Sequence, residues 1–172
     1  MFSLITKQDN MKKYHSLSNL VTIILIFVVS CSERESDQVD IINDLFPKEQ
    51  SELREVIKSI VRDAETTNLE GLETIHLVSD KFTKFGPRGF ERQDIESTNE
   101  SELAFFGSIS NYKEEVKDLK IDVFGEFGIA TYYRFVSFEK DGEEQIVRVR
   151  QTLVFLKTSD GWKIIHEHGN KP

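Results

Sequence analysis

A chain of 172 residues with 38 % apolar and 30 % charged side chains holds enough material for one ordinary core and little more, so a single domain is expected. Its formal charge of −8, from 30 acidic against 22 basic side chains, argues against a nucleic-acid partner, because a phosphate backbone needs neutralising by Lys and Arg. With one cysteine in the chain, an intrachain disulfide is excluded.

The first element in chain order is a sorting signal. Met11-Lys12-Lys13 precede the apolar run LVTIILIFVVS, Leu20 to Ser30, which has the positive flank of a secretory signal and is too short to span a bilayer comfortably. Residues 1–10 are less signal-like, so the signal reads best from Met11. Small Ser30 is followed by the lone cysteine, Cys31, and VVSC resembles the lipobox of bacterial lipoproteins, in which the cysteine is acylated and becomes the mature N-terminus. An ordinary signal with an incidental cysteine, or an uncleaved anchor, is the alternative. The expected organisation is a lipoprotein signal over residues 1–31, a polar tether over 32–46 and a folded domain over 47–172. Such a protein is exported and held to a membrane of the bacterial envelope by lipid on Cys31. Without Lys7, Lys12, Lys13 and Asp9 the mature part keeps 19 basic against 29 acidic side chains, a formal charge of −10.

In the tether, Val39, Ile42 and Leu45 are spaced for at most a short helical turn, and Pro47 marks a boundary. From Ser51 on, SELREVIKSIVRDAETTN puts Leu53, Ile57, Ile60 and Ala64 on one face, which is helical periodicity. Asn68 is placed to cap a second, short helix with Leu69, Leu72 and Ile75 on its apolar side. SDKFTKFGPRG then predicts a short extended piece ending in a turn, and STNESELAFFGSISNY a third helix with Leu103, Phe106 and Ile109 on one side. After that, strand-forming residues dominate, and the turn signals GEFG, KDGE and SDG cut the remainder into four runs. Runs joined by tight turns make an antiparallel meander, so the class is α+β. In IATYYRFVSF and TLVFL apolar residues occupy both alternating positions. One sheet face should therefore pack on the helices and the other on a second subunit, as a homodimer; a sheet with tolerated surface aromatics is the alternative.

The order of elements, the NLEGLETIHLVSDKF passage, GIATYYRFVSFEKDG and the closing DGWKIIHEHGN together resemble the nuclear transport factor two-like superfamily over about residues 51–170. The likeness is strongest to SnoaL-like domains and to the association domain of calcium/calmodulin-dependent kinase. It implies a cone, with a curved antiparallel sheet wrapped over three N-terminal helices, a pocket at the wide end and a dimer across the outer sheet face. Members include enzymes and non-catalytic modules, so the fold alone leaves function open.

In an unbroken terminal strand Trp162, Ile164, His166 and His168 share one face and Glu167 opposes them. The resemblance implies that this face lines the pocket and that Arg134 falls where the kinase domain carries a pocket arginine, with Tyr132 on the same parity. That domain's second arginine position holds Leu153 here, while Arg148 and Arg150 have the opposite parity, which puts a two-arginine anion clamp in doubt. The candidate ligand-binding set is Phe82, Phe85, Tyr132, Arg134, Trp162, His166 and His168. Arg134 could hold an anion, and a histidine could donate a hydrogen bond; the alternative is that both histidines merely close the cone.

No catalytic residue is assigned. Ketosteroid-type isomerisation needs a carboxylate base with a tyrosine and a protonated acid as oxyanion donors, and that trio cannot be placed. Asp80 reads as a solvated turn residue, and Gly-x-Ser-x-Gly is absent. No metal or cofactor is expected: beyond the two histidines, further ligands such as His76 or Glu143 lack support. The expectation is a lipid-anchored domain holding a small anionic or aromatic ligand, with a cofactor-free isomerase, cyclase or hydrolase using His166 or His168, or a purely structural lipoprotein, as the other readings.

Overall fold

The computed structural model describes residues 40–87 and 89–172. The expected signal, Cys31 and the expected tether up to residue 39 lie outside the described residues. Among the described residues no helix is long and apolar enough to cross a membrane.

Residues 40–44 close one hydrogen-bonded turn, with the Asp44 amide donating to the Asp40 carbonyl. Helix α1 (Pro47–Glu65) follows, with Pro in its first turn, where its missing N–H costs nothing. It starts four residues before the periodic stretch from Ser51 because the Pro47 backbone is already helical. Leu53, Ile57 and Ala64 form its buried stripe. Helix α2 (Leu69–Ile75) is capped by Asn68, whose side chain accepts from the Gly71 amide. Strand β1 (Thr83–Phe85) leads to helix α3 (Ile95–Phe106), fixed at its start by a reciprocal Asp94/Ser97 capping box. The third helix thus begins and ends earlier than its apolar spacing predicts: Leu103 is exposed, and Ile109 lies past the end, packed against the same cluster as Phe106.

Four long strands complete the domain: β2 (Ser110–Phe124), β3 (Phe127–Lys140), β4 (Glu143–Thr158) and β5 (Gly161–Asn170). Asp141 and Gly142, both at positive φ, turn β3 into β4 in the way a two-residue hairpin favours. The sheet order is β1-β5-β4-β3-β2. The meander is antiparallel as expected, and β1 joins β5 in parallel, so the sheet is mixed.

Bulges bend this sheet. In β2 the register slips between Lys117 and Lys120, around Asp118 at φ 54°, and the inward parity changes from Tyr112, Glu114 and Val116 to Leu119, Ile121 and Val123. Curvature lets α1 lie against the inner face, where Leu53 comes so close to Gly128 that any Cβ there would stand 2.3 Å from its Cδ1. The closed end is dry: Leu53, Ile57, Phe82, Phe155 and Trp162 form one buried cluster, each large side chain worth about 1.5–3 kcal/mol of burial. A second cluster, Ala64, Leu72, Phe106, Tyr112, Val136 and Phe138, surrounds the open end.

Candidate functional site

Between the two clusters lies a cavity of about 770 Å³, within the range of small-molecule sites. Its walls are largely aromatic and aliphatic, though Glu91, Lys140 and Lys171 also line it: Phe105 packs edge-on to Phe106 at 5.2 Å and to Phe138 at 5.3 Å, and Phe106 to Tyr112 at 5.4 Å. Val136, Val147, Val149 and Leu153 line the sheet side, and Ile60, Ala64 and Leu72 the helix side.

The floor is polar because the inward parity of the strands changes chemistry along their length. On β3 the inward series runs Gly128, Ala130, Tyr132, Arg134. Arg134 meets Glu114 of β2 in a bidentate pair, Nε to Oε1 at 2.8 Å and Nη2 to Oε2 at 2.9 Å. Its Nη2 also donates to the Tyr112 hydroxyl at 3.0 Å, which itself donates to Glu114 Oε2 at 2.5 Å. Nη1 donates to Gln151 at 3.2 Å, and Gln151 Nε2 donates to Glu167 Oε1 at 3.2 Å. Burial opposes the guanidinium charge, but Glu114, together with Tyr112 and Tyr132, holds the Arg134 pKa above its usual value.

The row continues across β5 and β1. Lys84 is in register with Glu167, and its Nζ lies 3.1 Å from Glu167 Oε2 and 2.7 Å from Glu102 Oε1 of α3. His76, the C-cap of α2, brings Nε2 to 3.6 Å from Glu167 and sets its ring edge-on to Phe82 at 5.0 Å. Burial would raise the Glu167 pKa, yet the charge of Lys84, followed by His76 and Arg134, keeps it well below the ordinary carboxylate range. Desolvation pulls Lys84 down and its two carboxylates pull it further up, leaving it protonated. Oxygen and nitrogen atoms of His76, Glu102 and Glu167 lie within 4.8 Å of one another, a spacing suited to a cation, and the Lys84 ammonium supplies that charge.

Of the candidate residues from the sequence, Tyr132 and Arg134 line the cavity. Phe82 and Trp162 belong to the closed-end core, where the indole N–H donates to Glu52 at 3.0 Å. Phe85, His166 and His168 stand on the other side of the sheet: His166 Nδ1 is 2.8 Å from Thr83 Oγ1, and Phe85 packs edge-on to both imidazoles. The shared face expected for Trp162 and the histidines fails for one physical reason. Val154 pairs with His166 and Phe155 with Ile164, so Ile165 is an extra, bulged residue that reverses the parity behind it. Trp162 and Ile164 point inward, and then Glu167 does, with both histidines outward. Arg148 and Arg150 are exposed and Leu153 is buried, as the alternation in β4 requires.

Sequence reasoning missed His76, Lys84, Glu102, Tyr112, Glu114, Gln151 and Glu167. For two of them a signal existed: Lys84 shares parity with Phe82, and Glu114 with Tyr112 and Val116, so each is a charge at an apolar-facing position.

A family model described as a SnoaL-like domain matches residues 53–170. No curated protein matches the chain significantly. Similar solved structures include a dehydratase candidate of the NTF2-like family from Streptomyces avermitilis (TM-score 0.67, 16 % identity, covering 73 % of this chain and 96 % of that one). An NTF2-like superfamily protein from Salmonella enterica serovar Typhimurium superposes with a TM-score of 0.61 at 22 % identity, over 73 % and 92 % of the two chains. An NTF2-like protein with a cystatin-like fold from Novosphingobium aromaticivorans gives 0.57 at 15 %, over 72 % and 82 %. At these identities the likeness speaks for the fold, in agreement with the cone the resemblance implied.

Proposed function

The chain belongs to the SnoaL-like domain family, and from that premise we propose that it is an exported, lipid-anchored binding protein that holds a small aromatic molecule in the open end of its cone. The observation that carries this reading is the 770 Å³ cavity, with aromatic side chains in its wall and the Lys84 and Arg134 charges on its floor paired to carboxylates. Of the two ligand classes expected, the aromatic one is favoured, because Glu114 occupies the Arg134 guanidinium that an anion would need.

Anchoring rests on the positive flank, the short apolar run and the lone Cys31 behind it. Dimerisation rests on the outer sheet face, where Phe127, Ile129, Tyr133 and Ile146 are exposed. A second reading, cofactor-free catalysis, is favoured by the His76–Glu167 approach on the cavity floor. His166 and His168 cannot serve it, since they face away from the cavity.

Native mass spectrometry on the full-length protein from its own kind of host tests the reading. The expected result is a dimer carrying a reproducible small molecule that is absent from Val136→Trp, which fills the cavity from its wall. An empty species after exposure to cell extract contradicts it. Loss of lipid labelling in Cys31→Ser is the expected outcome for the anchor.

A further inference from the structure

The closed end of the cone carries an apolar surface that belongs neither to the core nor to the cavity. Residues 40–44 close a turn in which the Asp40 carboxylate accepts from the Ile42 and Asn43 amides, and the Asp44 carboxylate accepts from the Phe46 amide. Phe46 packs on the closed-end core. Its neighbours stay outside: Ile41 is 49 % exposed, Ile42 73 % and Leu45 74 %. Ile41 lies over the turn between β2 and β3, where its Cγ2 would stand 3.9 Å from a Cβ on Gly125. Phe124, 37 % exposed, flanks that glycine. Single exposed apolar side chains are ordinary. Four gathered at one end of a domain, three of them in the expected tether, mark a contact surface.

The place of this surface in the chain says what covers it. Asp40 follows Cys31 by nine residues, so the link between them spans about 30 Å at most when fully extended. A lipid on Cys31 therefore keeps residues 40–45 near the bilayer. The open end stands further off, since β3 runs from Phe127 to Lys140, about 40 Å of strand. Charge decides between the surfaces that can cover apolar side chains. Asp40, Asp44 and Glu126 are exposed at this end. A second copy docked here would bring two acidic rims together, which is unfavourable. The same rim gives no attraction to anionic headgroups, so burial of the apolar side chains at the boundary of a zwitterionic bilayer is the driving force.

Resting on the anchoring reading above, we propose that Ile41, Ile42, Leu45 and Phe124 dock the closed end on the membrane that holds the lipid, with the open end of the cone facing water. The lipid supplies attachment and the patch supplies orientation. A lipid alone leaves the domain free to turn about its link, whereas a second point of contact, brought close by the first, holds one end against the bilayer. The cavity, which Lys140 lines from the far end of β3, then takes its ligand from the aqueous phase rather than from the lipid.

Fluorescence quenching by brominated lipid tests the proposal on the full-length lipidated protein in phosphatidylcholine vesicles, with flotation of the vesicles reporting the anchor separately. A tryptophan is introduced at either end, by Ile42→Trp or Lys140→Trp, against the background of buried Trp162. Both variants should float with the vesicles. Brominated phosphatidylcholine should quench the added emission of Ile42→Trp at least about twofold and leave that of Lys140→Trp unchanged, since an interfacial contact buries side chains about 5–10 Å deep. Adding Ile41→Ser and Leu45→Ser to Ile42→Trp should remove most of the quenching while flotation persists, which also shows the variant to be anchored. Phosphatidylglycerol in the vesicles should weaken the quenching, because the rim is acidic. Flotation without quenching of Ile42→Trp, equal quenching at both ends, or quenching strengthened by phosphatidylglycerol overturns the docking and leaves the anchor standing. Failure to float overturns both.

Discussion

The closed and open ends of the cone are built from the same strands, and they differ in what those strands point inward. At the closed end the inward positions are Val123, Ala130, Phe155 and Trp162, packed against α1 with Leu53 and Phe155 fully buried. A few residues along, the inward positions are Glu114, Arg134, Gln151 and Glu167, reached by unbroken alternation in β3 and β4 and past a bulge in β2 and β5. One end is held by burial and the other by a row of ion pairs and hydrogen bonds. The hydrophobic effect is non-directional and fills space, whereas paired charges must keep their geometry and leave a cavity above them. Stability and site are thus separated along each strand rather than assigned to different elements.

Substitutions can break that contrast, and the largest effect belongs to the closed end. Phe155→Ala should cost about 3–5 kcal/mol in urea unfolding, since the surrounding core cannot collapse onto the vacated space. Lys84→Met follows, at about 3 kcal/mol at neutral pH, because it leaves Glu102 and Glu167 facing each other without their shared cation.

The pH dependence of that cost has a definite sign. Glu167 in the folded protein lies below its ordinary value of 4.5, so its contribution is complete above that value and is lost as pH falls through the folded pKa. Lys84→Met removes the main charge that lowers it. The gap between variant and unaltered protein should therefore narrow between pH 7 and about pH 3, as measured by urea midpoints at the two values.

Smaller still are the effects outside the cone. His166→Ala loses the contact to Thr83 that ties β5 to β1 and should cost about 1 kcal/mol, while exposed His168→Ala should stay within about 0.5 kcal/mol. An equal, large loss at both would mean that they share a buried face after all.

The terminal strand shows how far the sequence could be read. The faces of the first two helices, the Asn68 cap, three turn signals and the four long strands were legible, because periodicity and turn chemistry are local properties. Arg134 was placed inward by the resemblance and Tyr132 by its shared parity, which no bulge interrupts between Gly128 and Phe138. His166 and His168 were misplaced by a single extra residue, Ile165, which carries no glycine or proline to announce it. The parallel pairing of β1 with β5 was equally hidden, since Lys84 and Glu167 lie 83 positions apart and meet through topology alone. Their opposite charges become meaningful once the register is known.

The most direct measurement is amide shift mapping by NMR on the labelled full-length protein titrated with 2-acetylnaphthalene. The account predicts shifts confined to the open end, at Tyr132, Val136, Phe138 and Val149, with Leu53 and Phe155 at the closed end silent. Shifts centred on His166 and His168, or spread evenly through the closed-end core, would contradict it.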